Sequence, residues 1–448
     1  MSQGFSAVLL PQLQQENSSI QVDSNDASWI ASLGVISTPG GALVSGVMSE
    51  LLGRKGTVQL TALPFLIGWM MIAFSSNKTW LCIGRFVTGF AIGMASTCYV
   101  YVAEVSLPSQ RGLLSALGPV FVSLGVLIVY YLGYALDWHA CAVACALVAL
   151  LSFSVIHLLP ETPAWLASKR RTSQARDVLV KLRGTREEAE REMTQVLQSV
   201  GSGENLDFRK YALQCLEPTV WKPFLILVVF FLCQEGSGIY ILLYYATNIF
   251  QEIGSEMNSS LESIMMGLVR LIMSAVGSIC IQHFNRKTLA MASGFGMGLT
   301  MACSGTYEYL YGDMPEKERP FPYLPLVCML LNVCASMIGM LQLPWLMIGE
   351  LFPLSVRGVM SGTVSSLAYL FIFATVKVYP NIISCLRLYG MMWLFAGVSL
   401  LVVVFTKFFL PETQGKLLIE IENSFKKSDK NAKDSDTQID PIFILRIK

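Results

Sequence analysis

The chain has 448 residues, a formal net charge of +1, 53% hydrophobic residues against 14% charged, and a mean hydropathy of +0.54. Those values exclude a string of soluble domains and describe an integral membrane protein. They also leave no basic footprint for nucleic acid.

In chain order, residues 1–12 carry no basic lead and no cleavage motif of a secretory signal. The stretch GFSAVLLPQL instead supplies about ten apolar residues, roughly 15 Å of helix and half of a bilayer core. Uncharged apolar runs follow at 27–49, 57–76, 80–103, 112–136 and 139–159, then at 223–250, 263–284, 288–311, 322–349, 358–380 and 388–410. Eleven full spans and one partial span are therefore expected in two groups. The expected division is an N-terminal bundle over 1–159, a charged helical linker over 160–221, a C-terminal bundle over 222–410 and a polar tail over 411–448. Ten of the eleven cysteines fall within or beside apolar spans without paired spacing and read as packing residues. His139, His157 and His283 are too scattered for a metal site.

Basic residues set the orientation. Arg54-Lys55, Arg111, the 160–221 linker, Arg286-Lys287, Arg357 and the tail share one side, which the positive-inside rule makes cytoplasmic. The glycosylation sequons at Asn17, Asn77 and Asn258 fall on the other side. The halves also repeat. Glu104 precedes Arg111-Gly112 as Glu350 precedes Arg357-Gly358, LGRKGT at 52–57 matches FNRKTL at 284–289, and LPET occurs at 159–162 and 410–413. Two matching halves imply pseudo-twofold symmetry and rocking about a central site.

The most polar interruption of any span is QEGSGIYILLYY at 234–245. Gln234, Glu235 and Ser237 at that depth point to a water-filled cavity, and Gly236 and Gly238 loosen the helix there. Charges at the cytoplasmic helix ends form a second constellation: Glu50, Arg54, Arg85, Glu104, Arg111 and Glu161, then Arg286, Glu350, Arg357 and Glu412. These groups are expected to pair as the halves close and to hydrate as they part, biasing the equilibrium by about 1–3 kcal/mol. No nucleophile–base constellation or phosphate loop appears, and GFGMG at 294–298 reads as helix packing. No enzyme, metal or cofactor is expected.

The motifs GVMSELLGRK (46–55), GRFVTGFAIG (84–93), YVAEVSLPSQRG (101–112), LPETPAWL (159–166), QEGSGIYILLYYATNIF (234–250), PWLMIGELFPLSVRG (344–358) and LPETQGK (410–416) carry a resemblance. The chain resembles a sugar porter of the major facilitator superfamily, most like the insect facilitated trehalose transporters. The resemblance implies an all-α membrane protein with the major facilitator fold. It implies two six-helix pseudo-symmetric halves, the first helix partial, with a cytoplasmic helical domain between them. It also implies a plasma-membrane carrier, C-terminus cytoplasmic, that moves trehalose or a hexose by alternating access. Its partners would be the sugar and the bilayer, with no obligate protein partner.

The departures concern the cavity. Glu235 and Tyr240 replace the family's second Gln and its Asn in the seventh span, and Arg270 aligns with a sugar-binding Asn of the eighth. Trp345 remains in the tenth, while Ala368 and Tyr369 replace an Asn-Trp pair in the eleventh. Near the cytoplasmic face Gln282 and Asn285 stand where an acid and a Gly are expected. Glu235 and Arg270 lie at nearly equal depth, so an ion pair across the cavity wall is expected, the alternative being that each faces water separately. Gln234, Glu235, Ser237, Tyr240, Arg270 and Trp345 are the candidate substrate residues. Lys377 is expected to snorkel to the outer surface. Atypical cavity residues and a half-length first helix keep a second reading open: a non-transporting, sensor-like or inactive truncated isoform of the same fold.

Overall fold

The computed structural model describes residues 1–15, 20–106, 111–201, 217–253, 258–315, 318–353, 356–414 and Phe425. The described segments are helical. The first half runs α1 (Ser2–Leu13), α2 (Ser24–Ile36), α3 (Thr38–Leu51), α4 (Arg54–Ala73), α5 (Lys78–Met94), α6 (Thr97–Val105), α7 (Arg111–Ala135) and α8 (Trp138–His157). A linker follows with α9 (Pro163–Ser168), α10 (Thr172–Arg183) and α11 (Arg186–Gly201). The second half comprises α12 (Pro218–Gly236), α13 (Ile239–Tyr244), α14 (Ala246–Ile253), α15 (Ser259–His283), α16 (Arg286–Tyr311), α17 (Leu324–Ile338), α18 (Leu343–Leu351) and α19 (Arg357–Phe408).

Among the described residues nine stretches are long and apolar enough to cross a membrane, including the pairs α2–α3, α5–α6 and α17–α18 taken as single spans. The last of the nine joins two spans at Arg387, where φ is 56°. The 26-residue α16, about 39 Å long, packs beside α17 and α19 as a further span. With the short α1, the expected eleven full spans and one partial one are accounted for.

The halves repeat in three dimensions. α4 packs on α5 and α8, and α16 packs on α17 and α19 in the same relation. The halves meet along two seams, α7 against α15 and α2 against α19, while α1 lies on α7, α13 and α14. Within the first half, α3 and α5 approach to backbone contact. A Cβ on Gly41 would lie 2.0 Å from the Phe90 carbonyl oxygen, and one on Gly93 2.0 Å from that of Thr38. Only glycine permits that crossing.

Helix starts explain the two faces. On the face of the sequons, Asp23, Asn77, Asp137 and Asn258 each cap a helix with their own side-chain oxygen. Asn77 and Asn258 are exposed, and Asn17 lies outside the described residues. On the opposite, basic face the caps come from a distance. Glu161 accepts from the backbone N–H groups of Arg54 and Lys55, each at 3.1 Å, where α4 begins. Gly53, at φ 89°, leaves room for that carboxylate: a Cβ would sit 2.2 Å from Glu161 Oε2. Glu412 repeats the cap on α16, accepting from Arg286 and Lys287 at 3.0 and 3.1 Å. There Asn285 has φ −59°, so the second half needs no glycine.

The arginines of this face close inward, within their own halves. Arg54 bridges Glu50 at 3.1 Å and Glu104 at 3.2 Å, and donates to the Ser49 carbonyl. Arg286 bridges Glu350 at 3.1 Å and donates to the Ile281 carbonyl. Gln282 removes only the counterpart of the exposed Glu50 bridge; the rest of the second motif is built. Among the described groups the pairs seen here form within each half rather than across them: the ends of α3, α6 and α8 converge on Arg54, and those of α15, α18 and α19 on Arg286. The side chains of Arg111 and Arg357 lie outside what the structure describes.

Arg85 is a larger correction. It sits about 10 Å into α5 from the sequon face and is 1% exposed, far from the basic face. Its guanidinium donates to Ser6 Oγ at 2.6 Å, the Ile30 carbonyl at 3.2 Å and the Ser2 carbonyl at 3.3 Å. It fastens α1 and α2 to α5 rather than gating anything.

The linker has a small core of its own around Trp165, Leu179 and Met193. It docks through the Trp165 indole N–H on the Glu50 carbonyl, and through Arg183 on the Val105 and Ser106 carbonyls. Residues 202–216 of the expected linker domain lie outside the described residues.

Glu412 carries a pH consequence. Partial burial works against its charge, but backbone N–H donors from Gln414, Lys287, Arg286 and Thr413 outweigh that and hold the carboxyl below its usual range. A depressed folded value makes the cap fully stabilising above the ordinary carboxylate range and loses it as pH falls through the lowered value. Acidification should therefore lower the thermal unfolding temperature of the wild type more than that of Glu412→Gln, measured on purified protein in detergent. Parallel declines would refute the assignment.

Candidate functional site

The site is built on two broken spans. Gly238, at φ 80°, ends the seventh span's first segment, and a Cβ there would lie 2.4 Å from the Phe395 ring. Only glycine meets both conditions, so α12 stops and α13 starts again on a shifted axis. The tenth span breaks likewise between α17 and α18, at residues 339–342. The Gln234 amide joins the breaks, donating to the Met340 carbonyl at 2.6 Å and that of Leu341 at 3.2 Å. Gln342 ties the tenth break to the eighth span, donating to the Ser274 carbonyl at 3.2 Å.

Gln234, Glu235, Ser237, Tyr240, Arg270 and Trp345 all come to this region, in different states. Gln234 is occupied with the break, although its Oε1 is buried without a partner. Ser237 donates to the Gln234 carbonyl at 2.6 Å. Trp345 is half-buried, packed edge-on against Phe231 at 5.0 Å and tilted on Tyr369 at 5.3 Å. Tyr369, standing for the family's Trp, thus backs the ring the sequence singles out. Tyr240 is buried, with the Trp345 side chain as its hydrogen-bonding neighbour. Tyr245 is a packing residue, stacked on Tyr379 at 4.2 Å.

Glu235 and Arg270 do not form the expected ion pair. Glu235 is 2% exposed and neither carboxylate oxygen has a hydrogen-bond partner; Arg270 is 7% exposed and its Nε has none. Equal depth on two helices leaves the angle about each axis open, and Glu235 stands at the end of α12, just before the axis shifts. The phenols of Tyr240 and Tyr244 are the electrostatic neighbours the two charges share. The ion pair is therefore not made, and Glu235 is closed off from bulk water. Arg270 lines a narrow cavity, with room for about one water, together with Leu243, Met266, Asn332, Ser336 and Met337.

Sequence reasoning missed two contacts that cross between halves. The Tyr130 hydroxyl donates to the Leu243 carbonyl at 2.9 Å, beside the site. Near the sequon face, Lys377 places its ammonium 4.0 Å from the centre of the Trp29 ring and donates to Asn25 Oδ1 at 3.1 Å. Its carbonyl accepts from Ser28 Oγ at 2.9 Å. Lys377 therefore fastens the halves together rather than snorkelling; an aromatic residue at 29 opposite a lysine at 377 was the available signal.

Comparison with known proteins bears on both fold and family. An inward-open structure of the xylose transporter XylE from E. coli superposes with a TM-score of 0.77 at 22% identity, over 94% of this chain and 95% of that one. XylE bound to 6-bromo-6-deoxy-D-glucose gives 0.76 at 21% identity, over 95% and 96%. These likenesses establish the major facilitator fold. The facilitated trehalose transporter Tret1 of Bombyx mori is 32% identical over 94% of this chain and 84% of its own length. Tret1 of Culex quinquefasciatus is 30% identical over 94% and 82%. The family model described as "Sugar (and other) transporter" matches residues 3–425. With that match spanning both halves and the linker, the chain belongs to the sugar (and other) transporter family.

Proposed function

We propose that this chain is a facilitative carrier of a small sugar, trehalose or a hexose, in the plasma membrane. It works by alternating access, with the basic face and C-terminus cytoplasmic and Asn77 and Asn258 outside. The observation that carries this reading is the pair of broken spans joined through Gln234, beside the α7–α15 seam. Breaks at that position free backbone and side-chain polar groups for a solute near mid-membrane. The trehalose assignment rests on what the insect relatives are named for. Facilitation, rather than proton coupling, is supported by those same names, which are of facilitated transporters. The gating role of Glu50, Arg54, Glu104, Glu161, Arg286, Glu350 and Glu412 is to keep each half rigid as it rocks.

Purified protein in liposomes should take up labelled trehalose or glucose at a rate unaffected by a pH gradient. Uptake driven by the gradient would overturn facilitation. No uptake of either neutral sugar from folded protein would defeat the neutral-sugar reading.

The rocking motion makes its own prediction. Lys377 holds the halves together at the sequon face, through a cation–π contact and hydrogen bonds together supplying about 1 kcal/mol. Lys377→Ala should raise the population open on that face about fivefold. Labelling of a single cysteine placed in the seam, by an impermeant maleimide added outside, reads this directly. An unchanged labelling rate would remove Lys377 from the closure.

A further inference from the structure

Arg270 is the basic charge of this site, and like Glu235 it stands where the aligned family residue is neutral. It is 7% exposed and its Nε is buried without a partner. Among the described residues it makes no ion pair; its electrostatic neighbours are the phenols of Tyr130, Tyr240 and Tyr244. A cation buried at this depth without an anion is strongly disfavoured unless something answers it. Glu235 does not, standing outside ion-pair distance. Among the described residues, no carboxylate lines the cavity that Arg270 faces.

The same cavity wall offers a second unmatched group, of opposite polarity. Asn332 is 1% exposed and spends its amide N–H on the Met297 carbonyl and Thr300 Oγ1, at 3.2 and 3.1 Å. Its Oδ1 has no donor. The wall therefore asks for an anionic acceptor at Arg270 and a hydroxyl donor at Asn332, and Leu243, Met266 and Met337 are among its apolar lining. A neutral sugar satisfies the second demand and not the first. A bidentate guanidinium answers a carboxylate best.

We infer that the preferred solute of this site is a sugar acid, a hydroxylated ring or chain bearing one carboxylate, held by Arg270 at the carboxylate and Asn332 at a hydroxyl. This rests on the carrier reading above and replaces its neutral sugar with an acidic one. Carrying one net negative charge, transport of such a solute follows the membrane potential.

The test uses the full chain in liposomes with labelled glucuronate, glucose, trehalose and glucose 6-phosphate. Glucuronate should enter fastest, and an inside-positive potential of about 59 mV should hold it about tenfold above the outside concentration. In detergent, glucuronate should raise the unfolding temperature where glucose does not. Arg270→Gln should weaken glucuronate binding about tenfold or more and abolish its thermal shift, while Arg270→Lys retains part of both. Because Arg270→Gln removes an unanswered cation, it should fold at least as well as the wild type. Uptake of glucose or trehalose without glucuronate would overturn the inference and leave the carrier reading standing. Uptake of glucose 6-phosphate without glucuronate would overturn the carboxylate assignment. No uptake of any of the four, with no glucuronate-induced thermal shift, would end both readings.

Discussion

Arg85→Leu should cost at least about 3 kcal/mol of stability and most of the folded yield, because three buried acceptors lose a donor together. The Ser2 carbonyl, Ser6 hydroxyl and Ile30 carbonyl have no bulk water to turn to at 1% exposure of the arginine. The site is also shaped for a guanidinium: a Cβ on Gly34 would come within 3.1 Å of Arg85 Nη2, so that glycine makes the room. Lysine keeps the charge but not the fork, and Arg85→Lys should recover only part of the loss. Size-exclusion profiles and thermal unfolding in detergent check both. A leucine variant as stable as the wild type would show that Arg85 does not hold α1 and α2 to α5.

The second large effect falls on the α3–α5 crossing. Gly93→Val would place a Cβ 2.0 Å from the Thr38 carbonyl oxygen and 2.6 Å from the Ala42 nitrogen. Both obstacles are backbone, so no rotamer change relieves them, and one helix must move. We expect a loss on the order of 3 kcal/mol or more, at the upper end of overpacking. Gly46, also on α3, would have nothing within 4 Å of an added Cβ. Gly46→Ala should therefore be neutral or gain up to about 1 kcal/mol from helix propensity. Comparing the two by thermal unfolding separates the crossing from a general intolerance of glycine replacement. Equal effects would refute it.

The fold was legible because bilayer thickness imposes span lengths and the basic-face motifs recur at matched positions. The Arg54 and Arg286 clusters were legible as constellations for the same reason, down to Glu161 and Glu412. Their direction of pairing was not, since a motif names its members without saying which helix ends converge. Arg85 was misplaced by grouping it with other charges, although its distance from Lys78 already placed it near the opposite face. For Glu235 and Arg270, rise per residue speaks to depth alone and leaves the angle about the helix axis open. That angle is set by how α12 and α15 pack against their neighbours, which rise per residue does not give. Lys377 and Tyr130 escaped because each acts on a residue more than a hundred positions away.

The inward closure of the Arg54 and Arg286 clusters also bears on ionic strength. Charges matched inside one rigid body stay matched whichever way that body tilts, so added salt screens them equally in every conformer. The carrier's balance between inward- and outward-facing forms is thereby insulated from the electrolyte on its charged side. At the opposite surface the Lys377 ammonium rests on the Trp29 ring of the other half, and that contact between halves is open to salt.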